Sequence, residues 1–392
     1  MKEIICFNSI FSSSWIFILN KVNNMKREIE QSIMIMYVET RIVIFNGDFL
    51  YFLSCWQRLA TDVVKDIVDD EISKKLDVKS LISTSNNTIV LADLGCAVGP
   101  NTFTSMERII DVIKRKYQSQ CPTSAMPEFQ VLFNDQPSND FNTLFISLPP
   151  EREYFAAGVP GSFYKRLFPE SSLHVAQCHY SLYWLSKVPE ELEDKNSPAW
   201  NKGRIHYTSA PDVVLKAYAK QWADDFNDFL NARAKEMVPG GLLIVVMPSI
   251  PDGIPYSELA NGILFNLMAS ILLDMAKRGL IREEEVDGFN LSIYAAPPGE
   301  FAAAVEKNGY FSIEAIGLTN PAPWLTDDVH VDMREFLRHI RAAWEGMFIK
   351  QFPSDVVDEF FEQLMLRLPE VFEQMERAYK DKIQSHYVLQ RK

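Results

Sequence analysis

The stretch from Thr88 to Asn101, TIVLADLGCAVGPN, constrains the fold of this chain more than any other. Its first five residues are mostly aliphatic or β-branched, a pattern that predicts a fully buried strand. Asp93 and a turn that contains Gly95 and Gly99 come next. A strand, a glycine turn and a helix in succession are typical of the first crossover of a doubly wound α/β sheet. Such sheets bind ligands at the carboxyl ends of their strands.

The residues after this turn repeat apolar side chains at intervals of three and four, which predicts one buried face of a helix. These side chains are Phe103, Met106, Ile109, Ile110 and Ile113. The turn lacks the third glycine of the dinucleotide-binding pattern, so a pyrophosphate is not favoured. Because an acid at the end of the first strand can meet a cation, a nucleoside with a sulfonium group fits better. A plain structural turn is the alternative.

A second buried strand is predicted from Glu128 to Phe133, and it ends in Asn134 and Asp135. In nucleoside-binding sheets, an acid at this position can accept both ribose hydroxyls, so Asp135 is a candidate ligand of a ribose. The alternative is that Asp135 only caps the turn into residues 139–141.

The remaining elements follow from hydrophobic periodicity and from turn residues. Helices are predicted at Arg58 to Leu76, Pro211 to Met237, Ser257 to Gly279 and over most of Val331 to Arg377. Strands are predicted at Leu173 to Cys178, Leu242 to Met247, Tyr310 to Leu318 and Ser385 to Leu389. A glycine–proline loop is predicted at Gly158 to Tyr164, and Pro239 to Gly241 is expected to stop the long helix.

An aromatic cluster directly follows the strand that ends at Cys178. It contains Tyr180, Tyr183 and Trp184. Aromatic side chains are core residues by default, but these three have polar tips and lie where a sheet of this kind opens its pocket. Both a core role and a binding role remain open from the residues alone.

Charge and cysteine usage exclude some classes of protein. The net charge of −13 has no block of Lys or Arg to offset it, which argues against binding to nucleic acid. The five cysteines follow no metal or disulfide spacing, which is typical of a reduced, cytoplasmic protein. The 392 residues are enough for one large domain or two small ones.

The first 53 residues do not match the rest of the chain. An apolar run from Ile4 to Leu19 resembles a weak signal peptide, but polar residues interrupt it and no small-residue cleavage site follows. Since it is also short for a bilayer span, membrane attachment is not expected. We interpret residues 1–53 as disordered or as an incorrect start of the sequence.

Six motifs in the same order resemble the plant SABATH methyltransferases. They are DLGCAVGPN (93–101), FNDQPSNDFN (133–142), GVPGSFYKRLFP (158–169), HYSLYWLSKVP (179–189), MVPGGLLIV (237–245) and DGFNLSIYAAPPGE (287–300). The resemblance covers about residues 54–392 and implies a Rossmann-like α/β class I methyltransferase sheet. Its core would be about 54–250 and 305–320 plus the C-terminal strand, and a helical cap would be about 251–304 and 325–382. The implied activity is methylation of a small carboxylic acid by S-adenosylmethionine, in a protein that is commonly a homodimer.

The resemblance also implies roles for individual residues. Those carried over to the cofactor are Ser54, Asp93, Gly95, Cys96, Asn101, Asp135, Gln136, Ser162 and Phe163. Those carried over to the acid are Gln57, Tyr180, Tyr183, Trp184, Leu264, Phe265 and Ile340, with Pro248 and Trp344 beside them in an apolar wall. Those carried over to a magnesium ion, expected to be structural, are Asn201, Asp287, Phe289 and Asn290.

The expected mechanism is positioning without a catalytic residue. A carboxylic acid has a pKa of about 4 and is ionised at pH 7, so it needs no general base. Alignment of donor and acceptor can supply about 7–11 kcal/mol. The apolar wall favours a terpenoid, iridoid or aromatic acid.

Three other functions are weighed against carboxyl methylation. N-methylation of a purine-like heterocycle would use the same architecture, although Tyr183 weakens it. A nucleotide-dependent oxidoreductase is disfavoured by the missing third glycine. A cofactor-binding protein without activity is suggested by the start of the chain, where Asp48 to Leu53 replaces a family segment whose tyrosine touches the cofactor.

Overall fold

The strand predicted after residue 87 lies in the middle of a seven-stranded sheet. The computed structural model describes residues 58–79, 87–251, 253–325 and 332–392. Ser54, Gln57 and the expectation for residues 1–53 lie outside the described residues. All described residues belong to one compact unit, Phe49–Lys392. None of the helices in the described ranges is long and apolar enough to cross a membrane.

Strand β1 is central because its apolar side chains are covered on both faces of the sheet. Ala92 pairs with Leu132 on one side and with Ala176 on the other, both in parallel register. The strands are β1 Thr88–Leu94, β2 Glu128–Asp135, β3 Phe155–Pro160, β4 Leu173–His179, β5 Met237–Pro248, β6 Phe311–Thr319 and β7 Gln384–Arg391.

The order of the strands across the sheet is β3-β2-β1-β4-β5-β7-β6. Strand β7 is antiparallel to both of its neighbours, and the first five strands are parallel. The chain reverses its direction of travel across the sheet between β1 and β4. The crevice at the carboxyl ends of these two strands is therefore the place where a ligand is expected.

Helices cover both faces of the sheet and continue into a second layer beyond β5. They are α1 Lys65–Lys75, α2 Pro100–Gln120, α3 Phe141–Ile146, α4 Asp212–Glu236, α5 Ala260–Lys277, α6 Glu283–Asp287, α7 Pro298–Asn308, α8 Met333–Gln351, α9 Ser354–Arg367 and α10 Phe372–Tyr379. The predicted face of α2 is buried, since Met106, Ile109 and Ile113 are all inaccessible to solvent.

The helices after β5 form a hydrophobic cluster of their own, which we call the cap. It is built from side chains of α5, α8, α9 and α10, such as Leu264 and Phe360. Helix α7 packs on the sheet instead, because Phe301 belongs to the cluster around the sheet and stacks on Tyr387 of β7.

One local prediction was wrong, and another was right only in part. Gly158 to Pro160 form the end of β3 and not a loop. Strand β3 is an edge strand, where a proline that lacks an N–H group is tolerated. The long helix ends at Glu236, one residue before the predicted end, but Pro239 to Gly241 lie within β5 and do not separate the helix from the strand. A register shift opposite Leu173 accommodates this glycine-containing segment.

Candidate active site

The turn after β1 is tied to the end of β2 by its backbone. The N–H groups of Gly95 and Cys96 both donate to the carbonyl oxygen of Asn134, at 2.8 and 2.9 Å. Gly95 has a φ of 85°, and a Cβ atom there would overlap with the hydroxyl group of Ser181. This position therefore requires glycine for both its backbone conformation and its space.

Asp93 is a buried carboxyl group at the end of β1. Its Oδ2 accepts a hydrogen bond from the hydroxyl of Thr102 in α2. Burial raises the pKa of Asp93 to about 6, although hydrogen bonds from Thr102 and Gln177 oppose the rise. Burial also raises the pKa of the neighbouring Cys96 thiol, which is consequently neutral. A cation beside Asp93 would favour its ionised form.

Asp135 lies at the end of β2, next to the same turn. Its Oδ2 accepts from the N–H of Ala97 at 2.8 Å, and its Oδ1 accepts from the N–H of Gln136 at 2.7 Å. Burial raises its pKa. It does not cap the turn into residues 139–141, because Asp140 caps that helix through Thr143. Asp135 thus holds the glycine turn, and each carboxylate oxygen retains a lone pair for a ligand.

The loop after β3 completes this edge of the sheet. This loop comprises residues 162–168, and we call it the 162–168 loop. Gly161 precedes it and donates from its N–H to the carbonyl of Asp135 at 2.8 Å. Ser162 is exposed, and the ring of Phe163 reaches to within 3.8 Å of the position that a Cβ on Gly95 would occupy. Asn101 lies half-buried at the start of α2. Among the described residues, those that the resemblance assigns to the cofactor therefore lie together at the carboxyl ends of the strands.

A cavity of about 190 Å³ opens beside this edge, between the sheet and the cap. Of the residues carried over to the acid, Tyr180, Tyr183, Phe265 and Ile340 line it, together with Pro248 and Trp344. Leu264 and Trp184 are not part of its lining. Leu264 is buried in the cap, and the ring of Trp184 packs against Tyr183 with 5.3 Å between centroids.

Several polar aromatic residues in the cavity wall were missed in the sequence. They are His206, Tyr207, Tyr256, Tyr294, His339 and Tyr379. They come from several segments of the chain, and apart from Tyr294, which lies in the 287–300 motif, they follow no motif, so no sequence signal joined them. Over the described residues, no Asp, Glu, Lys or Arg lines the cavity.

The two histidines of the cavity are neutral at physiological pH. Burial lowers the pKa of His206 to about 3 and also lowers the pKa of His339. The Nε2 of His206 lies 3.0 Å from the carbonyl oxygen of Ile293 and donates to it when the ring is neutral. The cavity wall is therefore polar in places but carries no charge.

Tyr180 presents its ring to the cavity while its hydroxyl is engaged elsewhere. Its backbone adopts the left-handed region with a φ of 53°, which is uncommon for an aromatic residue. Its hydroxyl donates to Oε1 of Gln384, the first residue of β7. The amide of Gln384 in turn donates to the carbonyl of Ala60 at 2.9 Å and to Thr319 at 3.0 Å.

Tyr183 and Trp344 form a polar corner of the cavity wall, and the indole of Trp184 lies beside Tyr183, just behind this wall. Burial raises the pKa of Tyr183 above its ordinary value, so its hydroxyl keeps its proton at neutral pH. The indole N–H groups of Trp344 and Trp184 lie close enough to this hydroxyl to oppose that rise. This corner can therefore donate hydrogen bonds to an anion without carrying a positive charge.

The residues carried over to magnesium lie together behind the cavity. Asn201 donates from Nδ2 to Oδ1 of Asn290 at 2.9 Å, and Oδ1 of Asp287 accepts from the N–H of Gly203 at 2.8 Å. The Oδ1 atom of Asn201 is buried and has no hydrogen-bond partner among the described residues. Phe289 packs its ring on Phe348. No group of three His, Cys, Asp or Glu suited to a metal occurs in the described ranges.

A sheet in this strand order, with Asp93 and Asp135 at the ends of β1 and β2, is typical of a Rossmann-like class I methyltransferase that uses S-adenosylmethionine. The sequence pattern described as "SAM dependent carboxyl methyltransferase" matches residues 51–392. The chain belongs to this family, the SABATH carboxyl methyltransferases, as its sequence motifs predicted.

Individual relatives agree with this assignment. The chain is 41% identical to loganic acid O-methyltransferase of Catharanthus roseus, over 86% of this chain and 90% of that protein. It is 38% identical to paraxanthine methyltransferase 2 of Arabidopsis thaliana, over 86% and 93%. A solved structure of loganic acid methyltransferase with SAH superposes with a TM-score of 0.82 at 39% identity, covering 89% of this chain and 98% of that one. The predicted class of enzyme and its cofactor are confirmed.

Proposed function

We propose that this enzyme methylates the carboxylate of a small, largely apolar plant acid of terpenoid, iridoid or aromatic type, giving a methyl ester. The uncharged cavity beside the glycine turn carries this proposal. Its wall is aromatic and aliphatic, and the described residues place no charged side chain in it. The relative that methylates loganic acid supports an acid of this kind.

The chemistry of the reaction suits an uncharged cavity. S-adenosylmethionine supplies an activated methyl group, and the acid is ionised at pH 7 because its pKa is about 4. Since no proton has to be removed, a wall without a base is sufficient. The negative charge of the acid disappears during the transfer, so a Lys or Arg would stabilise the ground state more than the transition state. Uncharged donors orient the acid at less cost.

Within the cavity, we assign the carboxylate to the polar corner. Tyr183 and Trp184 offer an O–H and an indole N–H there, with Gln57 as a third donor outside the described residues. Tyr180 contributes its ring, because its hydroxyl proton is committed to Gln384. Phe265 and Ile340 contact the apolar body of the acid, and Leu264 supports them from within the cap.

The cofactor is assigned to the neighbouring edge of the sheet. The proposed set is Ser54, Asp93, Gly95, Cys96, Asn101, Asp135, Gln136, Ser162 and Phe163. Asp93 faces the cationic end of the cofactor and Asp135 the ribose, which agrees with the burial of Asp93 and with the free lone pairs of Asp135.

The test uses purified protein, labelled S-adenosylmethionine and a panel of iridoid, terpenoid, aromatic and xanthine acceptors. We expect a base-labile methyl ester from one acid, and at least about a tenfold loss of kcat/KM in Trp184→Ala, since an anion loses a donor. Trp222→Phe is the matched control, because Trp222 is buried but does not line the cavity. If the protein binds the cofactor but forms no methyl ester from any acid of the panel, the proposed acids are excluded as substrates.

We also propose that residues 54–392 form the catalytic domain, with a sheet core and a helical cap. A second protein, in which residues 1–53 are replaced by a start of the family type (Ser-Tyr-Ala-x-Asn), is assayed beside the chain as written. Activity in the second protein alone would show that the first 53 residues impair the enzyme. Equal activity would show that they are dispensable.

N-methylation of a purine-like heterocycle is the second candidate. The relative that methylates paraxanthine is 38% identical and supports it. The panel separates the two reactions, because an N-methyl product withstands base whereas a methyl ester is hydrolysed.

We further propose a structural magnesium ion held by Asn201, Asp287, Asn290 and the carbonyl of Phe289. Their donors are hard oxygens of the kind that magnesium prefers, and Oδ1 of Asn201 lacks a partner. No step of the reaction involves this ion. We expect magnesium to raise the melting temperature of the wild type but not that of Asp287→Asn. An equal rise in both proteins would exclude the site.

We propose a cytoplasmic homodimer as the form in which the enzyme acts. Cys96, Cys121 and Cys178 are free thiols, which agrees with a reducing compartment. The dimer is supported by the family resemblance alone. Light scattering after gel filtration measures the mass of the particle, and a monomer at micromolar concentration would contradict it.

A further inference from the structure

A buried ion pair lies at the C-terminal end of α4, away from the cavity. The side chains of Arg233 and Glu236 are completely inaccessible to solvent, and Nε of Arg233 lies 2.7 Å from Oε2 of Glu236. Replacing such a pair with apolar residues of similar size is often neutral or stabilising. Stability therefore does not by itself explain an ion pair at this position.

The guanidinium of Arg233 holds the first half of the 162–168 loop. It donates from Nη1 to the carbonyl of Phe163 at 2.7 Å and from Nη2 to the carbonyl of Lys165 at 3.0 Å. It also lies over the ring of Phe229, 5.2 Å from its centroid. That ring meets the ring of Phe163 edge-on at 6.0 Å. Phe163 is thus fixed through both its backbone and its side chain.

The carboxylate of Glu236 holds the second half of the same loop. Its Oε1 accepts from the N–H of Leu167 at 2.5 Å and from the N–H of Phe168 at 3.0 Å. The pair therefore makes four hydrogen bonds to the backbone of one loop. These bonds also occupy the donors and acceptors that the pair would otherwise bury unsatisfied.

The opposite end of this loop meets the proposed cofactor site. Gly161, just before it, is bonded to Asp135 of β2, and Phe163 approaches the turn at Gly95. The loop is therefore held between the sheet edge and the interior of the protein. The position of Ser162 and Phe163 relative to the turn depends on both attachments.

We propose that Arg233 and Glu236 are positioning residues for the cofactor. From the protein interior they hold the 162–168 loop in the conformation that places Ser162 and Phe163 against the adenosine part of S-adenosylmethionine. This inference rests on the proposed assignment of Ser162 and Phe163 to the cofactor. A loop that is already ordered binds its ligand without the entropic cost of ordering.

The experiment replaces both partners at once, as Arg233→Met with Glu236→Leu, so that no unpaired charge stays buried. Binding of SAH is measured by titration calorimetry, and the steady-state constants are measured with a methylated acid. We expect a folded protein with at least about tenfold weaker SAH binding and a KM for S-adenosylmethionine raised to the same extent. The KM for the acid at saturating cofactor should change by less than about threefold, because no residue of the loop lines the cavity. The loop reaches the polar corner only through the hydroxyl of Tyr164, which donates to the backbone carbonyl of Trp184 and not to its indole.

Two further variants make the result specific. Arg233→Lys keeps the charge but loses the planar fork that reaches two carbonyls, and we expect it to fold and to bind SAH several-fold more weakly. Arg278→Met with Glu359→Leu removes an ion pair of 2.9 Å in the cap and should leave SAH binding unchanged. Wild-type affinity in Arg233→Lys, or in a folded double variant, would overturn the inference. A wild type that does not bind SAH would overturn the proposed function instead.

Discussion

Asp93 is a residue whose burial has a measurable consequence for cofactor binding. Its pKa is raised to about 6, chiefly by burial and to a smaller extent by the charge of Asp135. A cationic ligand stabilises the ionised form, so binding of S-adenosylmethionine should release a proton near pH 6. The affinity for S-adenosylmethionine is then highest above pH 6, where Asp93 is already ionised. It falls as the pH drops through this value, by up to about tenfold per pH unit. Calorimetric titrations from pH 5 to pH 8 measure the decrease.

The control for this prediction is Asp93→Asn, which cannot ionise. We expect weaker binding at pH 7.5 and a smaller dependence on pH, with the remainder due to Asp135, whose pKa burial also raises. A wild-type affinity that stays constant down to pH 5 would mean that no cation lies beside Asp93.

Gly95 allows a prediction with an internal comparison. An alanine at Gly95 meets both a backbone with a φ of 85° and the hydroxyl of Ser181. Gly309 has almost the same backbone, with a φ of 81°, but a Cβ atom there would meet nothing within 4 Å. We expect Gly309→Ala to cost about 1 kcal/mol of unfolding free energy and Gly95→Ala clearly more. Only Gly95→Ala should weaken SAH binding. Thermal denaturation and calorimetry test this, and equal effects of the two variants would contradict it.

Whether a site residue could be predicted from the sequence depended on how close it lies, along the chain, to the strand or motif that positions it. Asp93 and Asp135 each follow a buried strand directly, so the strand pattern located them. His206 and Tyr379 enter the same cavity from segments far apart, and only the packing of the cap on the sheet brings them together. Tyr180 lay within a recognisable cluster, but its bond to Gln384, 204 residues further on, had no signal in the sequence.

Among the elements, β7 has the most direct connection to the cavity. Its first residue, Gln384, joins Tyr180 to Ala60, and both of these residues line the cavity. In Gln384→Leu the buried Ala60 and the half-buried Tyr180 lose their hydrogen bonds, at a cost of about 1–3 kcal/mol each. We expect a lower melting temperature and a KM for the acid raised at least about fivefold, with unchanged SAH binding. Denaturation scans and steady-state kinetics measure these changes.

Gln390 in the same strand provides the control. Its amide donates to the carbonyls of Lys75 and Gly240, both at 3.2 Å, and these lie away from the cavity. Gln390→Leu should lower the melting temperature without raising the KM for the acid. If both variants raise the KM equally, the effect belongs to the stability of β7 and not to the cavity wall.

The predicted strands differ in how strongly the sequence encoded them, and burial is the reason. Strands β1, β4 and β5 are covered on both faces and were visible as apolar runs. Strand β3 is an edge strand with no fully buried residue, and it contains Gly158 and Pro160, so it resembled a loop. Here pairing with β2 overrides the local preference of the chain.

At the scale of the whole molecule, we expect the sheet to bind the cofactor and the cap to select the acid. The proposed cofactor residues that the structure describes lie on the sheet, on the loops at the carboxyl ends of its strands and at the start of α2, whereas Phe265 and Ile340 belong to cap helices. Removing a cap side chain from the cavity should therefore change which acid is used without changing cofactor affinity. Phe265 suits this test because it is buried, lines the cavity and packs on Trp344 and His206 at 5.1 and 4.6 Å.

We expect Phe265→Ala to lose about 3–5 kcal/mol of stability and to shift the relative kcat/KM values of an acid panel toward bulkier acids by about tenfold. The binding constant for SAH should stay within about twofold of the wild type. Phe360→Ala is the matched control, since Phe360 is fully buried in the cap but does not line the cavity. It should lose similar stability and keep the wild-type preference. An equal shift of preference in both variants, or weaker SAH binding in Phe265→Ala, would show that cap and sheet do not act separately.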